Sequence, residues 1–374
     1  MSDGDDSDSS ATWSILDKIK AAEQKVSDVT SGLTDTQIIG IAAGSCALVL
    51  LLLYCCYRRC RRRKVVSGKD GKHHRLTRPY VERSSGGQLG ADNLPVGCIL
   101  HGAKKLHAAK LDGKGVKVAV VDSGIDCHHP GFHGKAIKKK WFRHGTSLSE
   151  DDHGTHVAGT IHFLAPEAEL HDYRVFGEIG LDGDRAIAQS IRMATDDGCQ
   201  IINMSLRISY PVREGVEEAV KYAAKKGVIM VCAAGNSGDG DPMTNEMHTF
   251  PARWQQTISV AAVSKRTDLP VARFSESNAE VDCAAIGVQV VSLKPGGGYQ
   301  TMQGTSMAAP HVSGVIACLM SNGSYRRIGV KKLRKELVKK YTVDIERRGR
   351  DNSTGVGFVS FLSRKELDRS LSQL

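Results

Sequence analysis

The sequence predicts an α/β fold, a three-layer sandwich with a mostly parallel central sheet, preceded by a single transmembrane helix. Two observations predict the sandwich. From Gly97 onward, β-branched runs alternate with helical stretches, the pattern that buries a parallel sheet between two helix layers. Composition agrees: 41% hydrophobic and 25% charged residues are ordinary values, and 374 residues hold one domain of roughly 250 to 300 residues plus an N-terminal appendage. A third observation predicts the anchor, because Ile38 to Tyr57 runs twenty residues without a charge. At about 1.5 Å per residue that crosses a hydrocarbon core of about 30 Å.

Five segments follow in order. Residues 1–36 are acidic; the first ten are too rich in Asp and Ser to bury anything. Ile15, Ile19, Ala22, Val26 and Val29 then recur at four- and three-residue steps, as one stripe of an amphipathic helix does. Residues 37–57 form the predicted membrane helix; an acidic stretch before the run speaks against a secretory signal. Residues 58–96 open with Arg58-Arg59-Cys60-Arg61-Arg62-Arg63-Lys64 and continue as a Gly-rich stalk. Positive charge on this flank places the N-terminus outside or in a lumen and the rest in the cytosol, with the reverse orientation as the alternative. The Arg58–Lys64 cluster would attract anionic lipid, and Cys55, Cys56 and Cys60 sit at palmitoylation depth, compatible with modified or free thiols. Residues 97–366 form the folded domain and 367–374 a tail.

Within the domain, strands are expected at Val116–Val121, Gln200–Leu206, Val228–Ala234 and Thr257–Val263, and helices at His153–Phe163 and Ser306–Leu319. The net charge of +10 is spread out beyond the juxtamembrane cluster and is not interleaved with aromatic residues, which argues against a nucleic-acid partner. Six domain cysteines lie mostly in apolar contexts such as Val231-Cys232-Ala233 and read as free thiols.

Three motifs carry chemistry. Asp122-Ser123-Gly124 puts a carboxylate at the tip of a strand, and catalytic groups of parallel sheets gather there. His153-Gly154-Thr155-His156 opens a helix with an imidazole, and Gly304-Thr305-Ser306 places a hydroxyl at another helix N-terminus, where the dipole favours developing negative charge. A hydroxyl is a poor nucleophile until a base stands within hydrogen-bond reach and a carboxylate fixes that base's tautomer. Asp122, His153 and Ser306 supply those groups, and Asn236, in a loop after a strand, offers an amide donor for an oxyanion.

Asp122-Ser123-Gly124-Ile125-Asp126, His153-Gly154-Thr155-His156-Val157-Ala158-Gly159-Thr160, Ala234-Gly235-Asn236 and Gly304-Thr305-Ser306-Met307-Ala308-Ala309-Pro310 resemble the signature blocks of the subtilisin-like serine proteases (peptidase S8), in subtilisin's own order Asp, His, Ser. Asn203-Met204-Ser205-Leu206 and Gly355-Val356-Gly357-Phe358-Val359 extend the likeness from about Gly97 to about Glu366. The resemblance implies a serine endopeptidase acting on polypeptides. Asp122 would orient the base, His153 act as base and then acid, and Ser306 attack; Asn236 and the Ser306 amide would form the oxyanion hole. Ser205, Leu206 and Arg207 would wall the primary specificity pocket on one side, with Ala233, Ala234 and Gly235 on the other.

His156 is expected to be structural, and the Glu of a His-Glu-x-x-His zinc site is absent. Cys127-His128-His129 reads as a surface loop. Three departures from the family stand out. Arg207 replaces a glycine at the pocket mouth, where it would narrow the pocket, favour acidic substrate residues or turn to solvent. Thr160–Leu164 runs straight into Ala165-Pro166, leaving no loop for the family's calcium, so no cofactor is expected. No prodomain-sized segment separates the basic cluster from the domain. The alternative function is a catalytically inactive pseudoprotease acting as a peptide-binding module or membrane scaffold.

Overall fold

The computed structural model describes residues 84–85, 89, 93–141, 152–176, 183–208, 215–241, 244, 249–323, 325 and 328–374. All belong to one compact unit, His74–Leu374. The acidic segment, the 38–57 run and the Arg58–Lys64 cluster lie outside the described residues. Among the described residues no helix is long and apolar enough to cross a membrane.

In chain order the elements are β1 (Ser84–Ser85), α1 (Val96–Leu100), α2 (Ala103–Ala108), β2 (Lys117–Asp122), β3 (Lys138–Trp141), α3 (His153–Leu164), β4 (Glu169–Arg174), α4 (Gly183–Asp196), β5 (Ile201–Met204), α5 (Val216–Lys225), β6 (Ile229–Ala233), β7 (Thr257–Val263), β8 (Cys283–Ile286), β9 (Val290–Leu293), β10 (Tyr299–Met302), α6 (Thr305–Ser321), α7 (Val330–Glu336), β11 (Thr342–Val343), β12 (Phe358–Val359) and α8 (Arg364–Leu371). Nine strands form one sheet in the order β11-β12-β8-β7-β6-β5-β2-β4-β3, parallel except where β11 meets β12. A second, antiparallel sheet is ordered β1-β10-β9. Ser84 and Ser85, read from sequence as stalk, therefore pair with Thr301 and Gln300. That corrects the stalk boundary: backbone pairing needs no apolar side chains, so composition could not reveal it.

Every residue of β5, β6 and β7 is buried, as expected for strands covered on both faces. Side-chain alternation sorts the core into two halves. Val118, Val120, Ile201 and Val231 pack with Val157 and Ile161 of α3 and Val312 and Ile316 of α6. Ala119, Val121, Ile202 and Met230 pack with Ile187 and Ile191 of α4 and Val220 of α5. A period of two on the strands thus faces two helix layers.

The chain leaves β2 for the sheet edge at β3, returns to β4 beside β2, and only then builds β5 on β2's other side. This reversal is where open parallel sheets bind ligands, outside the carboxyl ends of the strands. Asp122 ends β2, and Ser205 follows β5 immediately.

Candidate active site

Asp122 is fully buried, and its Oδ1 accepts two hydrogen bonds, from the Ser123 amide and from Nδ1 of His153, each 2.7 Å. Because a carboxylate only accepts, Nδ1 is the donor in the bond to Asp122. The first turn of α3 is aligned by the Ser123 hydroxyl, which accepts the Gly154 amide at 2.8 Å. A side chain at 154 is forbidden, since a Cβ there would stand 2.4 Å from the Gly124 carbonyl oxygen. Glycine is what lets α3 approach β2 closely enough for His153 to reach Asp122.

Asp172, one strand away on β4, is a second buried carboxyl at this corner, and its Oδ2 accepts the Ile125 amide at 3.1 Å. Burial pushes its pKa up to about 7; the negative charge of Asp122 adds to the rise, while the Ile125 bond and Lys139 oppose it.

Ser306 lies in the first turn of α6 and is 1% exposed. Its placement follows from a proline four residues on. Pro310 sits inside α6 and has no N–H to give the Ser306 carbonyl. The Ser205 hydroxyl fills that role, donating to the Ser306 carbonyl at 2.8 Å while accepting from Nδ2 of Asn203 at 3.0 Å. Ser313 Oγ in turn donates to Oδ1 of Asn203 at 2.8 Å, so a chain of side-chain bonds ties β5 to α6. The Ser306 hydroxyl donates to the Ser205 backbone carbonyl at 3.3 Å.

Asn236 is oriented by Thr305. Its Oδ1 accepts both the Thr305 amide and the Thr305 hydroxyl, each at 2.8 Å. Both partners are donors, which fixes the amide's oxygen toward the helix and turns Nδ2 toward Gly304, where a Cβ would stand 3.2 Å from it. Thr305 Oγ1 also accepts the Gly235 amide at 3.2 Å. The arrangement can therefore present a buried hydroxyl, an aligned imidazole–carboxylate pair and a fixed amide donor at one end of one sheet.

Among the residues expected to wall a pocket, Ser205, Leu206, Ala233, Ala234 and Gly235 are buried and Arg207 is partly exposed. The Ser205 side chain is committed to Ser306 and Asn203, and Leu206 joins the core half under α4 and α5. Arg207 Nη1 donates to Ser237 Oγ at 3.1 Å, joining the segment after β5 to the segment after β6.

His156 is fully buried and structural: Nε2 donates to the Val290 carbonyl at 3.0 Å, and desolvation lowers its pKa to about 3. Cys127-His128-His129 is a loop, with His128 exposed and Cys127 partly so, but His129 is buried, its Nδ1 accepting the Gly131 amide at 2.9 Å and its Nε2 donating to the Gly298 carbonyl at 3.0 Å. All six cysteines of the domain are free thiols. The helix α3 is unbroken from His153 to Leu164, and the Leu164 carbonyl at its end accepts from His107 Nε2 at 2.8 Å. Among the described residues no cluster of three or more His, Cys, Asp or Glu is placed to hold a metal.

Sequence reasoning missed Thr305, Ser123 and Asp172. Thr305 lies within a block that resembled the family, but its bond spans 69 positions to Asn236, and no local pattern encodes that.

Comparison with known proteins agrees with this geometry. Residues 113–357 match the model of the subtilase family, Peptidase_S8. The chain is 39% identical over 259 residues to the major intracellular serine protease of Bacillus subtilis (strain 168), covering 65% of this chain and 79% of the relative. It is likewise 39% identical over 238 residues to an intracellular serine protease of Paenibacillus polymyxa, covering 58% of this chain and 70% of that one. Among solved structures, fervidolysin from Fervidobacterium pennivorans, a keratinolytic enzyme related to subtilisin, superposes with a TM-score of 0.61 at 31% identity, covering 74% of this chain and 45% of that chain. Buried strands, switch point, paired imidazole and carboxylate, and these likenesses converge: the chain belongs to the subtilase family and is a serine-type endopeptidase.

Proposed function

We propose that this protein hydrolyses peptide bonds through an Asp122–His153–Ser306 triad and an acyl-enzyme intermediate. The observation that carries the reading is the 2.7 Å bond from His153 Nδ1 to the buried Asp122 carboxylate, which leaves Nε2 as the base. Nε2 takes the Ser306 proton as Oγ bonds to the scissile carbonyl carbon, and the carbonyl π pair moves onto oxygen. The 3.3 Å bond from Ser306 Oγ to the Ser205 carbonyl is long for a hydroxyl donor, so giving it up costs little. Asn236 Nδ2 and the Ser306 amide receive the oxyanion. Collapse of the intermediate breaks the C–N bond, His153 hands its proton to the departing amine, and water reverses the sequence to free the enzyme. The substrate backbone pairs as an added strand with the segment after β5 or β6, and its side chain enters between Ser205–Arg207 and Ala233–Gly235.

A fluorophosphonate probe tests this reading. It should label the wild type at Ser306 and fail to label Ser306→Ala; labelling that survives the substitution would refute it.

We further read residues 38–57 as a bilayer anchor with Arg58–Lys64 on its cytosolic side, a reading supported by sequence alone. Alkaline carbonate should leave the protein in the membrane pellet; Asn322-Gly323-Ser324 and Asn352-Ser353-Thr354 fit the glycosylation pattern, and glycan on either asparagine would show the reverse orientation. The unbroken α3 supports the absence of the family's calcium loop at that helix.

A further inference from the structure

We infer that Asp172 is a positioning residue for the catalytic pair: it fixes the loop that aligns His153 on Asp122, and its negative charge makes that imidazole a stronger base. The inference rests on the active-site reading above. It begins with what the strand register places beside Asp122. Asp172 of β4 pairs with Val120 of β2, and Asp122 lies two residues further along β2. Val118, Val120 and Leu170 all pack into the core half that holds Val157 and Ile161 of α3, so Asp172 and Asp122 stand on the same face of the sheet, the one that α3 covers. With strands about 4.8 Å apart and a rise of about 3.3 Å per residue, their Cα atoms are roughly 8 Å from each other.

Asp172 is 0% exposed, and its two oxygens are treated differently. Oδ2 accepts the Ile125 amide at 3.1 Å. Oδ1 is buried and has no hydrogen-bond partner among the described residues. Ile125 belongs to the loop that sets the approach of α3: the Ser123 hydroxyl takes the Gly154 amide, the Gly124 backbone lies against Gly154, and the Asp126 amide donates to Thr155 Oγ1 at 2.9 Å. One carboxylate oxygen thus holds the middle of the loop that grips the first turn of α3. Anchoring alone would not call for a charge, because an amide or hydroxyl oxygen accepts the same bond without the cost of burying an anion. The second oxygen, buried and unpaired, is what points to an electrostatic duty.

The charged groups at this corner are Asp122 on β2, Lys139 on β3 and Arg174 on β4 itself, with His153 of α3 bonded to Asp122. Neither cation bonds the Asp172 carboxylate. Arg174 Nε donates instead to the Phe176 carbonyl at 3.2 Å. Burial, with the Asp122 charge adding to it, pushes the Asp172 pKa up to about 7, so the anion is present above that pH and is lost below it. A second anion in this low-dielectric corner favours the imidazolium that forms as Ser306 gives up its proton.

The test is the pH profile of kcat/KM for the intact protein on a peptide substrate, with fluorophosphonate labelling to count functional active sites. Asp172→Asn keeps an oxygen for the Ile125 amide and removes the charge, so the acid limb should move to lower pH by about 0.5 unit. Asp172→Leu removes the acceptor as well; it should share that shift and lower the plateau kcat about tenfold below the Asn variant, with KM unmoved. An acid limb that stays at its wild-type position in Asp172→Asn, or a plateau kcat in Asp172→Leu equal to that of the Asn variant, overturns the inference while leaving the triad standing. Should the Asn variant fail to label, nitrogen-15 histidine NMR of the wild type decides. His153 should titrate in two coupled steps, and a single one-proton step overturns the inference. Failure of the wild type to label overturns both this inference and the triad.

Discussion

The two helices that build this site are held by different physics. α3 delivers the base through one charged contact, His153 on Asp122, with the Ser123 hydroxyl and a glycine setting the approach. α6 delivers the hydroxyl through neutral hydrogen bonds: Ser205 on the Ser306 carbonyl, Thr305 on Asn236, Ser313 on Asn203. Single-atom changes should therefore disable the first arm, whereas the second, with its bonds distributed, should degrade in steps.

The largest effects come from the groups that exchange protons. Ser306→Ala or His153→Ala should abolish turnover; in subtilisin itself either loss costs about a million-fold. Asp122→Asn should cost about 10⁴-fold, the scale seen when a triad carboxylate becomes an amide and the imidazole takes the wrong tautomer. Steady-state kinetics on a peptide substrate checks both, and an Asp122→Asn variant within tenfold of wild type would erase the contrast between the arms.

On the α6 side the steps should be smaller. Asn236→Ala should cost about 100- to 1000-fold in kcat, a magnitude known from subtilisin itself. Thr305→Val keeps the amide bond to Asn236 and removes only the hydroxyl, so roughly tenfold is expected, mostly in kcat. Ser205→Ala strands the Ser306 carbonyl, which Pro310 cannot serve, and should cost about 1–3 kcal/mol of stability, read as a lowered Tm.

Stability should also fall with acid. Burial holds His156 and His162 near pKa 3 and His311 near 4, all below the ordinary value of about 6.5. In the unfolded chain these histidines take protons that the fold refuses, so their contribution is present above about pH 6.5 and is lost as pH falls toward 3. At pH 5 each fully buried histidine costs about 2 kcal/mol. Asp172, whose folded pKa is raised to about 7, acts oppositely and gains on acidification, but it is one group against these three histidines and His101 and His171, which burial also lowers. Denaturant midpoints at pH 7.5 and 5 should show the net loss. The smallest effect expected is from chelation: EDTA should leave Tm nearly unchanged, and a strong downward shift would contradict the expected absence of a calcium site.

Much of this was legible in sequence for identifiable reasons. Buried parallel strands are continuous apolar runs, so β2, β6 and β7 were found within a residue or so, and Asp122, His153 and Ser306 announced themselves by standing at a strand tip and two helix starts. The hidden parts are long-range. Ser84–Ser85 pairs through backbone across more than 200 positions, Thr305 reaches Asn236 over 69, and Asp172 holds the Ile125 amide over 47. His129 is a loop residue whose burial was hidden because its partners, Gly131 and Gly298, are backbone groups that no side-chain pattern marks.

The central claim is that His153, aligned by Asp122, activates Ser306. It is tested most directly by trapping the acyl-enzyme: rapid acid quench of the protein with an activated ester, followed by mass spectrometry. The account predicts a burst of one acyl group per active site on the peptide containing Ser306, absent in His153→Ala and slowed in Asp122→Asn. Acylation at another residue, or an equal burst without His153, would contradict it.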